Sequence, residues 1–94
     1  MKTFKLKVQE TTKIEVELKL PYYSQSDYHF YKIYSETQCI QVYKGYGDYR
    51  IQTATARLAV NGGEIESTED IFLDAFNYVK NKLEEIALNT NNNI

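Results

Sequence analysis

Hydrophobic and polar residues alternate twice near the start of the chain. In residues 3–9, Phe4, Leu6 and Val8 share one parity, and Lys5, Lys7 and Gln9 share the other. In residues 13–20, Ile14, Val16, Leu18 and Leu20 alternate with Lys13, Glu15, Glu17 and Lys19. A period of two over this length predicts two strands, each with one buried face. Glu10-Thr11-Thr12 is short enough to join them as a hairpin. The outward charges are placed for Lys to pair with Glu across the strands, at roughly a few tenths of a kcal/mol each. Pro21 ends the second strand, because it has no N–H to give a ladder.

The pattern then becomes less regular. Residues 22–27 read as a polar loop, 28–34 as a third strand and 37–44 as a fourth. "KGYGDY" (44–49) is a turn, because its glycines accept positive φ. A fifth strand is expected over 49–60, but its apolar phase changes along the way. Tyr49 and Ile51 share one parity, and Ala54, Ala56, Leu58 and Val60 share the other. A bulge near Gln52 or Thr53 would explain the switch, as would a strand covered on both faces at one end. "NGG" (61–63) is a second strong turn. The helix begins near Ser67 or Thr68, with Ser67 able to cap it and Glu69 and Asp70 set against the positive end of its dipole. Ile71, Ala75, Val79, Leu83 and Ile86 form a stripe that Phe72 and Phe76 widen, the mark of a core-facing amphipathic helix. The expectation is an α+β fold: a five-stranded antiparallel meander sheet followed by one C-terminal helix packed across one face. The domain spans 1–88, and 89–94 form a disordered tail. The second face of the sheet is left to solvent or to a partner.

That open face matters because of where the rings fall. Eight of the nine tyrosines lie between residues 22 and 49. A two- or four-residue turn at 45–48 places Ile40, Val42, Tyr49 and Ile51 on the core face and Cys39, Gln41, Tyr43, Arg50 and Gln52 on the other. For the third strand, a two- or four-residue turn puts Tyr31 and Ile33 in the core and Tyr28, Phe30, Lys32 and Tyr34 beside Tyr43. A three-residue turn reverses this and buries Phe30. The β-branched Ile33 is the least suited to an open face, which favours the first. The candidate binding surface is then Tyr28, Phe30, Lys32, Tyr34, Tyr43 and Arg50, with Tyr46 added from the hairpin tip, where a ring between two glycines has little to pack against. Tyrosine and arginine bring large area and a polar handle to interfaces. Tyrosine is also a good strand former, and cross-strand ring pairs alone can account for many rings on a sheet.

Composition narrows the function. Ninety-four residues make one domain, and 43% hydrophobic with 26% charged residues is the balance of a globular chain. A net charge of −2 argues against charge-driven binding of duplex DNA, which needs a basic face. One cysteine cannot form an internal disulfide, which suits a reducing compartment. The alternating start is neither a signal peptide nor a membrane span. These points lead to the expectation of a cytoplasmic protein without a membrane segment.

No set of residues carries recognisable chemistry. His29 and Cys39 fall on opposite faces in the favoured register. In the other they share a face about four residues apart, on the order of 13 Å, so no dyad is expected. One Cys and one His cannot hold zinc. Glu64, Glu66, Glu69, Asp70 and Asp74 do not match a calcium loop and read as a solvated helix start. No phosphate-binding glycine loop is present. The sequence therefore predicts a non-enzyme without cofactor or metal. It reads as a binding module that docks its aromatic sheet face or hairpin tip on a protein partner, as an inhibitor or adaptor, with the small regulators of phages and mobile elements as an analogy. Self-association into a homodimer is a sub-case. The alternative is single-stranded nucleic-acid binding by base stacking on exposed tyrosines. Against it, the bases Lys32, Lys44 and Arg50 within 22–52 are matched by Asp27, Glu36 and Asp48.

Overall fold

The two alternating segments at the start of the chain pair as their pattern requires. The computed structural model describes residues 3–9 and 14–92. In it, β1 (Thr3–Gln9) and β2 (Ile14–Lys19) run antiparallel, with Phe4 opposite Leu18 and Lys5 opposite Glu17. The register shifts between Lys7 and Gln9. The joining turn at 10–12, and Lys13, lie outside the described residues. Seven further elements follow: β3 (Tyr22–Gln25), β4 (His29–Ile33), β5 (Gln38–Lys44), β6 (Tyr49–Thr55), α1 (Ala56–Gly62), β7 (Ile65–Glu66) and α2 (Glu69–Asn92).

The fold is α+β, with a five-stranded antiparallel sheet in the order β6-β5-β4-β3-β7 and the C-terminal helix across it. Its membership differs from the sequence expectation. β1 and β2 form a two-stranded sheet of their own, and two other strands take their places. One is β3, in the stretch read as a polar loop. Tyr23 pairs with Lys32 and Ser24 with Tyr31, and both Tyr23 and Ser24 are buried. The other is β7, whose two residues pair with Ser24 and Gln25. The expected fifth strand ends at Thr55, and of the residues that changed phase Ala54 stays in β6 while Ala56, Leu58 and Val60 lie in α1. Ladder pairing from Lys44–Tyr49 to Gln38–Thr55 is regular, so no bulge is involved. Ala56 and Ala59 are buried three apart, which is helical spacing.

Both faces of the sheet are covered. On one, Tyr31, Ile33 and Cys39 pack with Phe4 and Leu6 of β1 and with Ala56 and Ala59 of α1. On the other, Tyr23 and Val42 pack with Phe72, Ala75 and Val79 of α2, with Phe30, Ile40, Tyr49, Ile51 and Phe76 half-buried around them. The β4–β5 connection spans Tyr34 to Gln38, with the Tyr34 N–H donating to the Gln38 carbonyl at 3.3 Å. Ile33 therefore stands opposite Cys39 and Phe30 opposite Val42. This is the parity of the three-residue alternative, and Phe30 faces α2. Ile33 is nonetheless fully buried, because the β1–β2 hairpin and α1 lie over the face that was expected to be open.

Thr68, not Ser67, caps α2: its hydroxyl accepts from the Ile71 N–H at 3.3 Å. The Ser67 hydroxyl donates instead to Gln25 Oε1 at 2.6 Å. α2 starts over β3, where the Tyr23 hydroxyl donates to Glu69 at 3.2 Å and Tyr23 meets the Phe72 ring. By Tyr78 it has reached Tyr49 of β6. Ile71, Leu83 and Ile86, placed on the core stripe by spacing alone, are exposed. The helix runs through Asn92, beyond the domain end expected at 88, and residues 93–94 lie outside the described residues.

Burial of both faces has a direct test. Ile33→Ala should lower the unfolding free energy by about 2–5 kcal/mol, the range for deleting a fully buried aliphatic side chain, in a urea titration. A loss below about 1 kcal/mol would mean that this face is not closed.

Candidate functional site

The β5–β6 hairpin brings Tyr43, Tyr46 and Tyr49 to one end of the sheet. Its turn, Gly45 to Asp48, closes with the Gly45 N–H donating to the Asp48 carbonyl at 3.1 Å, and Gly47 holds φ at 80°, a value that suits glycine. Gly45 also makes room for a neighbour, since a Cβ there would sit 2.7 Å from the Tyr43 ring. Tyr46 at the tip is 93% exposed. Its ring stands edge-on to Tyr28, centroids 5.8 Å apart. The Tyr28 phenol is raised above its ordinary value, first because ionising it beside the Tyr46 phenol would set two like charges against each other.

Behind this pair lies a cleft of about 290 Å³ lined by Asp27, Tyr28, Phe30, Lys44, Gly45, Tyr46, Tyr49 and Tyr78. β4 supplies Phe30, the hairpin supplies Lys44, Tyr46 and Tyr49, and α2 supplies Tyr78. Tyr49 and Tyr78 meet at 6.0 Å, and the Lys44 ammonium lies 4.4 Å from the Tyr78 ring centre. The Lys82 ammonium approaches the same ring at 5.6 Å. The lining mixes rings with one acid and one base, so it suits an amphipathic side chain better than a polyanion.

The opposite face of the hairpin holds a second aromatic group that is largely satisfied by itself. Arg50 lies 4.6 Å from the Tyr43 ring centre and reaches Asp48 at 3.5 Å. Tyr43 meets His29 at 4.8 Å, and His29 stacks on Tyr31 at 6.1 Å. The Gln41 amide donates to the Tyr31 hydroxyl at 3.4 Å, and the Gln52 amide donates to Gln41 at 2.6 Å. Burial, and then the Arg50 charge, hold His29 below its ordinary value of 6.5.

The seven residues singled out by sequence thus separate. Tyr28, Phe30 and Tyr46 meet in the cleft, and Tyr43 and Arg50 meet behind it. Lys32 lies on the α2 side, 5.9 Å from the Tyr23 ring centre. Tyr34 sits at the far end of β4, where its hydroxyl donates to Gln38 at 2.9 Å. The single open face expected from the sequence does not form, because the parity of β4 sends Phe30 and Lys32 to the opposite side from Tyr43. Sequence reasoning missed Tyr49, assigned to the core, and Tyr78, the one tyrosine outside the dense stretch. Only the crossing of α2 over β6 brings these two together.

His29 and Cys39 share a face but stand at opposite ends of the β4–β5 ladder, paired with Tyr43 and Ile33. Cys39 is fully buried, its thiol donates to the Thr55 carbonyl at 3.3 Å, and burial pushes its pKa up to about 11. Among the described residues, no three acidic, histidine or cysteine side chains gather to hold a metal ion. No helix there is long and apolar enough to cross a membrane.

Two outcomes follow from these side chains. At about pH 8 the native Cys39 should resist iodoacetamide under conditions that alkylate the urea-unfolded chain fully, since so little of it is thiolate. Comparable rates in the two states would contradict this burial. His29 favours its neutral form in the fold, so the unfolded chain takes up its proton first as pH falls. Its stabilising contribution is complete above about 6.5 and is lost as pH falls through its lower folded value. His29→Gln should therefore show a smaller drop in thermal stability between neutral pH and pH 5 than the parent chain, and parallel curves would show that His29 is not involved.

No protein-family model matches the sequence, and no curated protein or solved structure matches it either.

Proposed function

We propose that this protein is a non-catalytic binding module that docks the hairpin-end cleft onto a protein partner, as an inhibitor or adaptor. The observation that carries the reading is Tyr46: a ring 93% exposed, braced by Tyr28 at the mouth of an aromatic cleft. The contact with Tyr28 orients the Tyr46 ring before a partner arrives, which lowers the ordering cost of binding. The cleft behind it can accept a partner's side chain between Tyr28, Tyr49 and Tyr78, with Lys44 and Asp27 at its rim to fix orientation. A free thiol buried at Cys39 fits a cytoplasmic setting.

Single-stranded nucleic acid is the second reading, supported by the ring pair and by Lys44 beside it. Its weakness is charge. Asp27 lines the same cleft and Asp48 lies in the adjoining turn, whereas a groove that follows a phosphate backbone is positive.

Affinity capture from native lysate, with nuclease added, tests the first reading against the second. The parent chain should retain a discrete protein. The Tyr28→Ser, Tyr46→Ser double variant should lose it, since truncating central aromatic anchors costs about 2 kcal/mol or more, roughly thirtyfold in affinity. Recovery unchanged by the double substitution would sink the cleft reading. Salt-sensitive oligonucleotide binding that this variant abolishes would establish the second reading in its place.

A further inference from the structure

α2 outruns the sheet that it covers. It meets β3 at Glu69 and Phe72 and β6 at Tyr78, and its last fully buried residue is Val79. Residues 80–92 continue the helix for about 20 Å at about 1.5 Å per residue. Continued along the line from β3 to β6, this segment passes the edge of the sheet, where no strand among the described residues continues the ladder. Its flank is still patterned for packing. Leu73, Phe76, Lys80, Leu83 and Ala87 recur at spacings of 3, 4, 3 and 4, the rhythm of a helix–helix seam. Leu73 and Leu83 are 42% and 38% exposed.

The strand beneath the departing helix is an open edge. Gly45 and Asp48 form the hydrogen-bonded pair that closes the hairpin, so alternation turns Arg50, Gln52 and Ala54 inward to β5. The same alternation leaves the backbone groups of Ile51 and Thr53 pointing outward. The only charge in β6 is Arg50.

We propose that a second copy of this chain occupies this edge: two β6 strands pair antiparallel about a two-fold axis at Gln52, and the two α2 overhangs pack side by side. Such an axis is perpendicular to the sheet and keeps both helices on one side. It sets Ile51 against the partner's Thr53, so outward N–H and C=O groups meet each other. It sets Arg50 against the partner's Ala54, so no like charges face across the ladder. α2 lies over Tyr49 and Ile51, and the axis sets these residues against Thr55 of the partner subunit and Thr53 of the partner subunit, so it moves the partner helix two to six residues along the strand. At about 3.3 Å per residue the helix axes fall roughly 7–20 Å apart, a span that includes the usual 8–10 Å packing distance. An antiparallel crossing centred near Lys82 brings Lys80 of each helix beside Glu84 of the partner subunit, an attractive pair on both sides of the axis. An extended peptide would fill the strand edge but leave the Leu73–Leu83 flank uncovered, whereas a second copy covers both.

Sedimentation equilibrium of the intact chain at micromolar concentrations tests this, with circular dichroism to confirm folding. The parent chain should be a dimer. Thr53→Pro removes an outward N–H, and Leu83→Lys places charge in the seam at an exposed position; each should weaken dimerisation about tenfold or more. Lys80→Glu should weaken it, and adding Glu84→Lys should restore it. Tyr28→Ser with Tyr46→Ser should leave the dimer intact, which separates this interface from the cleft. A monomeric parent chain, or a dimer that survives both Thr53→Pro and Leu83→Lys, would overturn the proposal.

Discussion

The structure depends on closing β4 and β5 from both sides. Ile33 and Val42 point to opposite faces of the sheet, and both are fully buried. One helix cannot cover both. α2 covers the Val42 side, and the chain covers the other with two unrelated pieces, the β1–β2 hairpin and α1. A tie between α1 and β3 holds the second cover in place: the Ser24 hydroxyl donates to the Ala59 carbonyl at 2.6 Å. Gly63 makes that approach feasible, because a Cβ there would overlap the Ser24 hydroxyl and the Ala59 carbonyl. The aromatic cleft lies where these covers stop, at the hairpin end. Tyrosine suits that boundary, since it can bury its ring edge and leave its hydroxyl in water.

Much of this was legible in the sequence. Strict alternation placed β1 and β2, the glycine turn placed the β5–β6 hairpin, and the run of apolar spacings placed α2. The parity of β5 against β6 was also readable, since both turn lengths considered gave the same faces. What failed shares a physical cause. β3 is short, and its polar Ser24 is buried with its hydroxyl hydrogen-bonded to the Ala59 carbonyl, a partner 35 residues away. The phase change after Ile51 marked a change from strand to helix, but Ala54, Ala56, Leu58 and Val60 also fit alternation, and seven residues are too few for periodicity to decide. Ile33 was rightly placed in a core, yet the inference that Phe30 must then face solvent assumed that only one core exists.

The site was less legible than the fold. Local sequence identified Tyr46, whose exposure follows from a turn tip; Tyr28 was expected on an open sheet face that does not form, and it is exposed because it stands in the loop before β4. Local sequence could not identify Tyr78, which belongs to the cleft through the crossing of α2 alone. It also grouped Tyr43 and Arg50 with them, although these two residues spend their interactions on His29 and Asp48. Ring density in a sequence therefore measured how much aromatic surface one end of the sheet would carry. It did not measure how that surface divides between internal packing and an open cleft.

The pairing of β3 with β7 bears on how the chain assembles. β4, β5 and β6 follow one another through short connections, so their ladders cost little loop entropy and can form early. β3 and β7 join residues 24–25 to 65–66 across the whole meander and α1. Closing a loop of that length costs more than closing a hairpin, and its return is a two-pair ladder with flanking hydrogen bonds from Glu64 and Ser67. This seam stands directly before the first turn of α2, which it anchors through Tyr23 and Glu69. The sheet edge at β7 is thus the natural place for local opening to start, and docking of α2 becomes the step that locks the topology after the meander already exists.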